Sequence, residues 1–298
     1  MNDPRFGRVI TAMVTPFNGD GTVNFDVARD VARYLVNNGS DGIVVAGSTG
    51  EGGSLSDDEK LDLFACVAEA VSVPVLAGST SGDTARSISL TAAASATGIQ
   101  GILATTPAYS RPSQSGIAAH IGAVAEATKL PVMVYDIPSR TGRKIAAATT
   151  IGLAQQHANV VALKDASGDI PSAAHVKAKL GTGFDLYSGD DALVLPFMAI
   201  GAVGVVSVAS HWAGPEFAAM IQAHLSGNQS RALELNERLA ASCTFEGNET
   251  YPNPLPSKAA MAVLGLAVGS CRLPLGAGDD ELMQQATTIV NSLLGQRD

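Results

Sequence analysis

Eight short apolar runs, rich in valine and isoleucine, punctuate this chain: "RVITAMVTP", "GIVVAG", "VPVLAGS", "GILATTP", "LPVMVYDIP", "VVALKDA", "FDLYSGD" and "AVGVVSVAS". Strands that are apolar on both faces must be covered on both, and stretches of helical periodicity lie between them. In residues 24–38, Val27, Val31 and Leu35 recur at helical spacing, as Leu61, Phe64, Val67 and Val71 do in residues 56–71. The second stretch opens with Ser56 and Glu59 in capping-box spacing, which fixes where the preceding loop ends. Strand and helix alternating eight times predict a parallel sheet closed into a (β/α)8 TIM barrel, an α/β fold. A doubly wound open sheet is the alternative, but no GxGxxG follows the first strand. With 298 residues and 46% hydrophobic content the chain can fill one barrel and an appendage. Residues 1–210 are expected to form the barrel with the active site, and 211–298 its last helix and a C-terminal helical extension.

A formal net charge of −9, with no basic run, argues against nucleic acid or an anionic membrane as partner. An anionic substrate must therefore be gripped by local groups. Cys66, Cys243 and Cys271 are far apart and lack CxxC spacing, so neither a disulfide framework nor a zinc knuckle is expected, and a reducing cytoplasm is. The N-terminal stretch has no long apolar core of a leader, and no run reaches the roughly 20 apolar residues of a membrane span. His120, His157, His175, His211 and His224 show no HxxxH spacing, and "GSTGE" is not GxSxG.

In a parallel barrel, chemistry gathers at the C-terminal strand ends. There the chain places "GSTGEGG", "TPAYSRP", "YDIPSRTG", "LKDASGD" and "SGDDA". The glycine-rich "GSTGEGG" lacks the GK[ST] ending of a P-loop, and Asp190 and Asp191 disfavour a phosphate after the seventh strand. Lys164 at the end of "VVALK" has two readings. Its ammonium group can snorkel into solvent, or it can sit enclosed, where desolvation lowers its pKa and frees a neutral amine to attack a carbonyl. Tyr109 and Tyr135 on neighbouring strand ends, with Ser48 and Thr49, could move the protons that imine formation requires.

At "GSTGE", "TPAYSRPSQSG", "YDIPSRTG" and "LKDASGD", with "SGDDA" and "NPLPSK" behind them, the chain resembles the dihydrodipicolinate synthase and N-acetylneuraminate lyase family over essentially its whole length. The resemblance implies a pyruvate-dependent class I aldolase or synthase, without metal or organic cofactor, assembled as a tetramer from two tight dimers. It makes Lys164 the Schiff-base lysine, Tyr135 the proton donor and acceptor at the imine, and Ser48 and Tyr109 the rest of its relay, with Tyr109 crossing the tight dimer interface. Thr49, helped by the backbone at Val206, matches the site of the pyruvate carboxylate, and Gly189 lies close by. Arg140 resembles the arginine with which dihydrodipicolinate synthases hold aspartate semialdehyde. The reaction this implies joins pyruvate to L-aspartate 4-semialdehyde, giving 4-hydroxy-tetrahydrodipicolinate at the head of diaminopimelate and lysine synthesis. A sugar-acid aldolase of the same family and a non-catalytic keto-acid binder are the alternatives. Three departures stand out: Ser48 replaces a commoner threonine, Asp136 an asparagine, and Ala108 a tyrosine. In the cleft where many such synthases bind inhibitory lysine, Asp57, Lys60, Gly82 and Arg86 replace the expected partners, so insensitivity to lysine is expected.

Overall fold

The computed structural model describes residues 3–295; residues 1–2 and 296–298, the outer tips of the two expected segments, lie outside it. Eight strands run β1 (Val9–Ala12), β2 (Gly42–Val45), β3 (Val75–Ala77), β4 (Gly101–Thr105), β5 (Val132–Asp136), β6 (Val160–Asp165), β7 (Asp185–Ser188) and β8 (Gly204–Ser207). All pair in parallel in sequence order, and β8 returns to β1, so the sheet closes and the open-sheet alternative falls. Between the strands lie α1 (Phe25–Asn37), α2 (Asp57–Ala70), α3 (Thr84–Ala94), α4 (Gln114–Glu126), α5 (Pro138–Thr141), α6 (Ala147–Gln156), α7 (Ile170–Leu180) and α8 (Val194–Ala199). After β8 come α9 (Ser210–Leu225), α10 (Gln229–Phe245), α11 (Leu255–Val263) and α12 (Asp280–Leu294).

The helix boundaries follow from local chemistry. Asn24 caps α1 by accepting from the Val27 N–H, and α2 starts with the full capping box: Ser56 Oγ accepts from Glu59 N at 3.1 Å while Ser56 N donates to Glu59 Oε2 at 2.9 Å. The strands are apolar on both sides because each side meets a different core. Ile10, Val44, Leu76, Leu103, Met133, Ala162, Tyr187 and Val206 fill the barrel interior. Ile43, Val45, Val75, Ile102, Val132 and Val134 face the surrounding helices.

The N-terminal end of the barrel is closed. Phe6 is buried there against Gly101, where a Cβ would lie 2.7 Å from its ring, and the Tyr187 hydroxyl donates to Gly7 O at 3.0 Å. A third core, containing Trp212, Phe217, Leu235, Leu239 and Leu282, binds the C-terminal helices together. Polar groups lock α11 and the segment after it to the loop following β2. Lys258 Nζ meets Glu51 Oε1 at 2.7 Å with both side chains buried, and Arg272 donates its N–H to Glu51 Oε2 and its guanidinium to Ser54 O. Among the described residues no helix is long and apolar enough to cross a membrane.

Candidate active site

β5 and β6 pair so that Tyr135 stands directly opposite Lys164. Both side chains continue the inward alternation set by Met133 and Ala162, one layer nearer the C-terminal mouth. Lys164 is 4% exposed, and its Nζ lies 4.2 Å from the centroid of the Tyr135 ring. The ammonium group has not reached solvent; it ends in an enclosed pocket. Burial pushes its pKa down to about 8, and the Arg140 guanidinium adds to that, while the carboxyls of Asp191 and Glu246 pull the other way. Burial likewise raises the Tyr135 phenol, against the opposing influence of Arg140 and a hydrogen bond with Ser48.

The cavity around these groups measures about 670 Å³, within the usual range for small-molecule sites. Ser48, Thr49, Tyr135, Lys164, Gly189 and Arg140 all line it. Thr49 is held by Asn253, whose amide donates to its hydroxyl at 3.2 Å, and Arg140 on α5 donates to Asn253 O at 3.2 Å. Gly189 has to be glycine, because a Cβ there would lie 2.9 Å from the Ala166 Cβ and 3.0 Å from the Lys164 Cγ. Its smallness leaves room for the lysine stem.

Two expected residues stand elsewhere. Tyr109 is 98% exposed at φ +68°, outside the cavity of its own chain, so the chain by itself assembles Lys164, Tyr135 and Ser48 without the fourth. Val206 is buried within β8 in the barrel interior, and Val208, two residues further, lines the cavity instead. One barrel layer separates the two.

Several further groups stand at the site to which the sequence reading gave no role in the chemistry. Asp191 Oδ2 accepts from the backbone of Val208 at 2.9 Å and of Ala209 at 2.7 Å. Glu246, at the end of α10, stands beside Asp191, and burial first, then the neighbouring Asp191, raises its carboxyl well above the usual range. The shift favours the neutral form of Glu246 and so eases the meeting of two carboxyls beside Lys164. Asn253, Pro252 and Glu249 complete the wall from the same segment, residues 246–253. Asp136, one of the three departures from the family pattern, is buried next to Tyr135 in β5 with its carboxyl raised to about 6 by desolvation, and it accepts from Ile145 N at 3.0 Å. It anchors the chain after α5. His211 is structural as well: it accepts from Val14 N through Nε2, leaving Nδ1 to donate to Val208 O. Among the described residues no three His, Cys, Asp or Glu side chains converge as a metal site.

Comparison with known proteins places this arrangement. Residues 5–293 match the model of the dihydrodipicolinate synthetase family. A Desulforamulus reducens protein named 4-hydroxy-tetrahydrodipicolinate synthase is 45% identical over 98% of this chain and 99% of its own. The dihydrodipicolinate synthase of Cyanidioschyzon merolae, solved with lysine bound, superposes with a TM-score of 0.93 at 42% identity over 97% of this chain and 98% of that one. A dihydrodipicolinate synthase of Bacillus anthracis gives 0.91 at 39% identity over 98% and 99%. Across nearly all of its length, the chain belongs to the dihydrodipicolinate synthetase family.

Proposed function

We propose that this chain is a Schiff-base enzyme that condenses pyruvate with L-aspartate 4-semialdehyde to give 4-hydroxy-tetrahydrodipicolinate, at the entrance to diaminopimelate and lysine synthesis. The observation that carries the reading is the buried Lys164 amine, with its pKa near 8, packed on Tyr135 in a cavity that also holds Ser48, Thr49 and Arg140. Neutral Nζ attacks the keto carbon of pyruvate, whose carboxylate rests at Thr49 and the nearby backbone. The Tyr135 hydroxyl, linked to Ser48, delivers a proton as the carbinolamine loses water and the imine forms. Loss of a methyl proton then gives an enamine, which forms the new carbon–carbon bond at the aldehyde held by Arg140. The amine of that second substrate displaces Lys164, closing the ring and restoring the free enzyme.

Tyr109 enters this scheme through assembly. A fully exposed aromatic held at a left-handed φ suits a residue offered to a second copy, and we place it in the partner's relay within a tetramer of two tight dimers. The reading carries a cytoplasmic location with it. A sugar-acid aldolase would share the Lys164 chemistry, but the guanidinium at the mouth suits a small carboxylated aldehyde better. Sodium borohydride added with pyruvate, followed by peptide mass analysis, tests the proposal: the expected result is a reduced pyruvyl adduct on Lys164, and an unmodified Lys164 rejects it.

A further inference from the structure

Arg140 sits on α5, a single helical turn, and the chain that carries it leaves the end of β5 at Asp136 and comes back to the same residue. Asp136 Oδ1 accepts from the Ile145 backbone N–H at 3.0 Å, and Oδ2 lies 3.7 Å from Lys144 Nζ. One carboxylate thus closes residues 136–145 into a loop with Arg140 near its middle. Within the loop, Ile137 O accepts from the backbone N–H groups of Arg140 and Thr141, so the turn is fixed internally and its placement over the cavity depends on how its ends are held.

Lys144 reaches further. Its Nζ donates to Ser167 Oγ at 3.1 Å and lies 3.4 Å from Asp169 Oδ2, while Ser167 donates from N and Oγ to Asp165 Oδ1 at 2.8 and 2.7 Å. Asp165 follows Lys164 in β6 and is the register partner of Asp136, which follows Tyr135 in β5. Both carboxyls are buried, and Lys144 is the cation that joins their surroundings. Burial raises the Asp136 carboxyl to about 6, with Asp165 adding to this and the Ile145 N–H and Lys144 opposing it, while Asp169 meets Lys144 from the start of α7. We propose that Asp136 and Lys144 form a clasp that positions Arg140, so that the charge on Asp136 sets how well the carboxylated aldehyde is held. Neither side chain lines the catalytic cavity, so both act through the loop and not on the reacting atoms. The inference rests on the reading of Arg140 as the aldehyde's anchor and adds the device that holds it. Between pH 7 and pH 5 Asp136 takes up a proton and loses its pull on Lys144, a window in which the carboxylates of pyruvate and the aldehyde stay charged.

The test is steady-state kinetics of the full chain, with the semialdehyde varied at pH 5 and pH 7, on the unsubstituted protein, D136N, K144M and the double variant. Saturating pyruvate keeps Lys164 in its imine, so kcat/KM for the semialdehyde reports the second half of the reaction. In the unsubstituted protein it should be about tenfold lower at pH 5 than at pH 7, as protonation of a carboxyl titrating near 6 requires. D136N and K144M should each be about tenfold lower at pH 7, D136N should be flat with pH, and the double variant should be no worse than the poorer single. Borohydride trapping of pyruvate should stay within about twofold in every variant, which also shows that the fold is kept. Unchanged semialdehyde kinetics in D136N, additive losses in the double variant, or trapping that falls in parallel overturns the clasp; the last would mean that the pair holds Lys164 and Tyr135 themselves. R140A, measured alongside, keeps the two readings apart: a loss there with D136N unchanged rejects the clasp and leaves the anchor standing, whereas no loss in R140A removes the anchor and the clasp with it.

Discussion

A lysine that is to attack a carbonyl must first lose its proton, and burial arranges this at Lys164. With a pKa near 8, about a tenth of the amine is neutral at pH 7, roughly 300-fold more than for a lysine at the ordinary value. The sign follows directly: below about 8 the charged form dominates, so the rate of pyruvate imine formation should climb about tenfold per pH unit and level off above that point. Borohydride trapping rates across a pH series check this; a rate still climbing near pH 10 would mean an unperturbed lysine. Replacing Arg140 with alanine should leave imine formation nearly intact and reduce use of the semialdehyde by about a hundredfold, as loss of a charged anchor for a carboxylate would. Equal loss in both steps would place the guanidinium at the pyruvate instead. Lys164 and Tyr135 could be placed at one mouth because they end neighbouring strands of a parallel barrel, whereas Arg140, on α5, and the roles expected of all three came from the family resemblance. Glu246 was not legible, because its raised pKa depends on burial and on Asp191, distant in sequence, which no local pattern encodes.

At the level of elements, periodicity and capping chemistry were enough to locate α1 and α2 to within a residue or two. What they could not supply was the segment between α10 and α11, which carries Asn253 and Glu249 to the cavity without repeating pattern. That segment is held between the C-terminal core on one side and the Lys258–Glu51 pair on the other, so the pair supports the wall of the site from behind. Removing one partner of a buried ion pair strands the other in a low-dielectric setting. K258M should therefore lower stability by about 3 kcal/mol, and adding E51Q should restore part of it, since the second change removes the stranded charge. Urea unfolding of the single and double variants decides this; equal or additive losses would show that the two groups are independently solvated.

Across the whole molecule, the arrangement of charge matters more than its total. Lys60 and Arg86 line the cleft beside the active site, and Asp57 is already taken by Arg86, so a lysine molecule approaching that cleft would meet two cations. Like charges brought together at such a site cost several kcal/mol. Millimolar L-lysine should leave the condensation rate unchanged within error at both saturating and limiting pyruvate; saturable inhibition would show that other groups receive it. The closed end of the barrel has a kinetic consequence. Among the described residues Phe6 and the Tyr187–Gly7 contact close the barrel below Lys164, so both substrates are expected to enter from the opposite mouth. Entry from one side implies that pyruvate, which must reach Lys164, binds before the aldehyde. An excess of aldehyde that reaches the mouth first is then expected to slow turnover, which initial rates at rising aldehyde and fixed pyruvate would check; rates that only saturate would refute it.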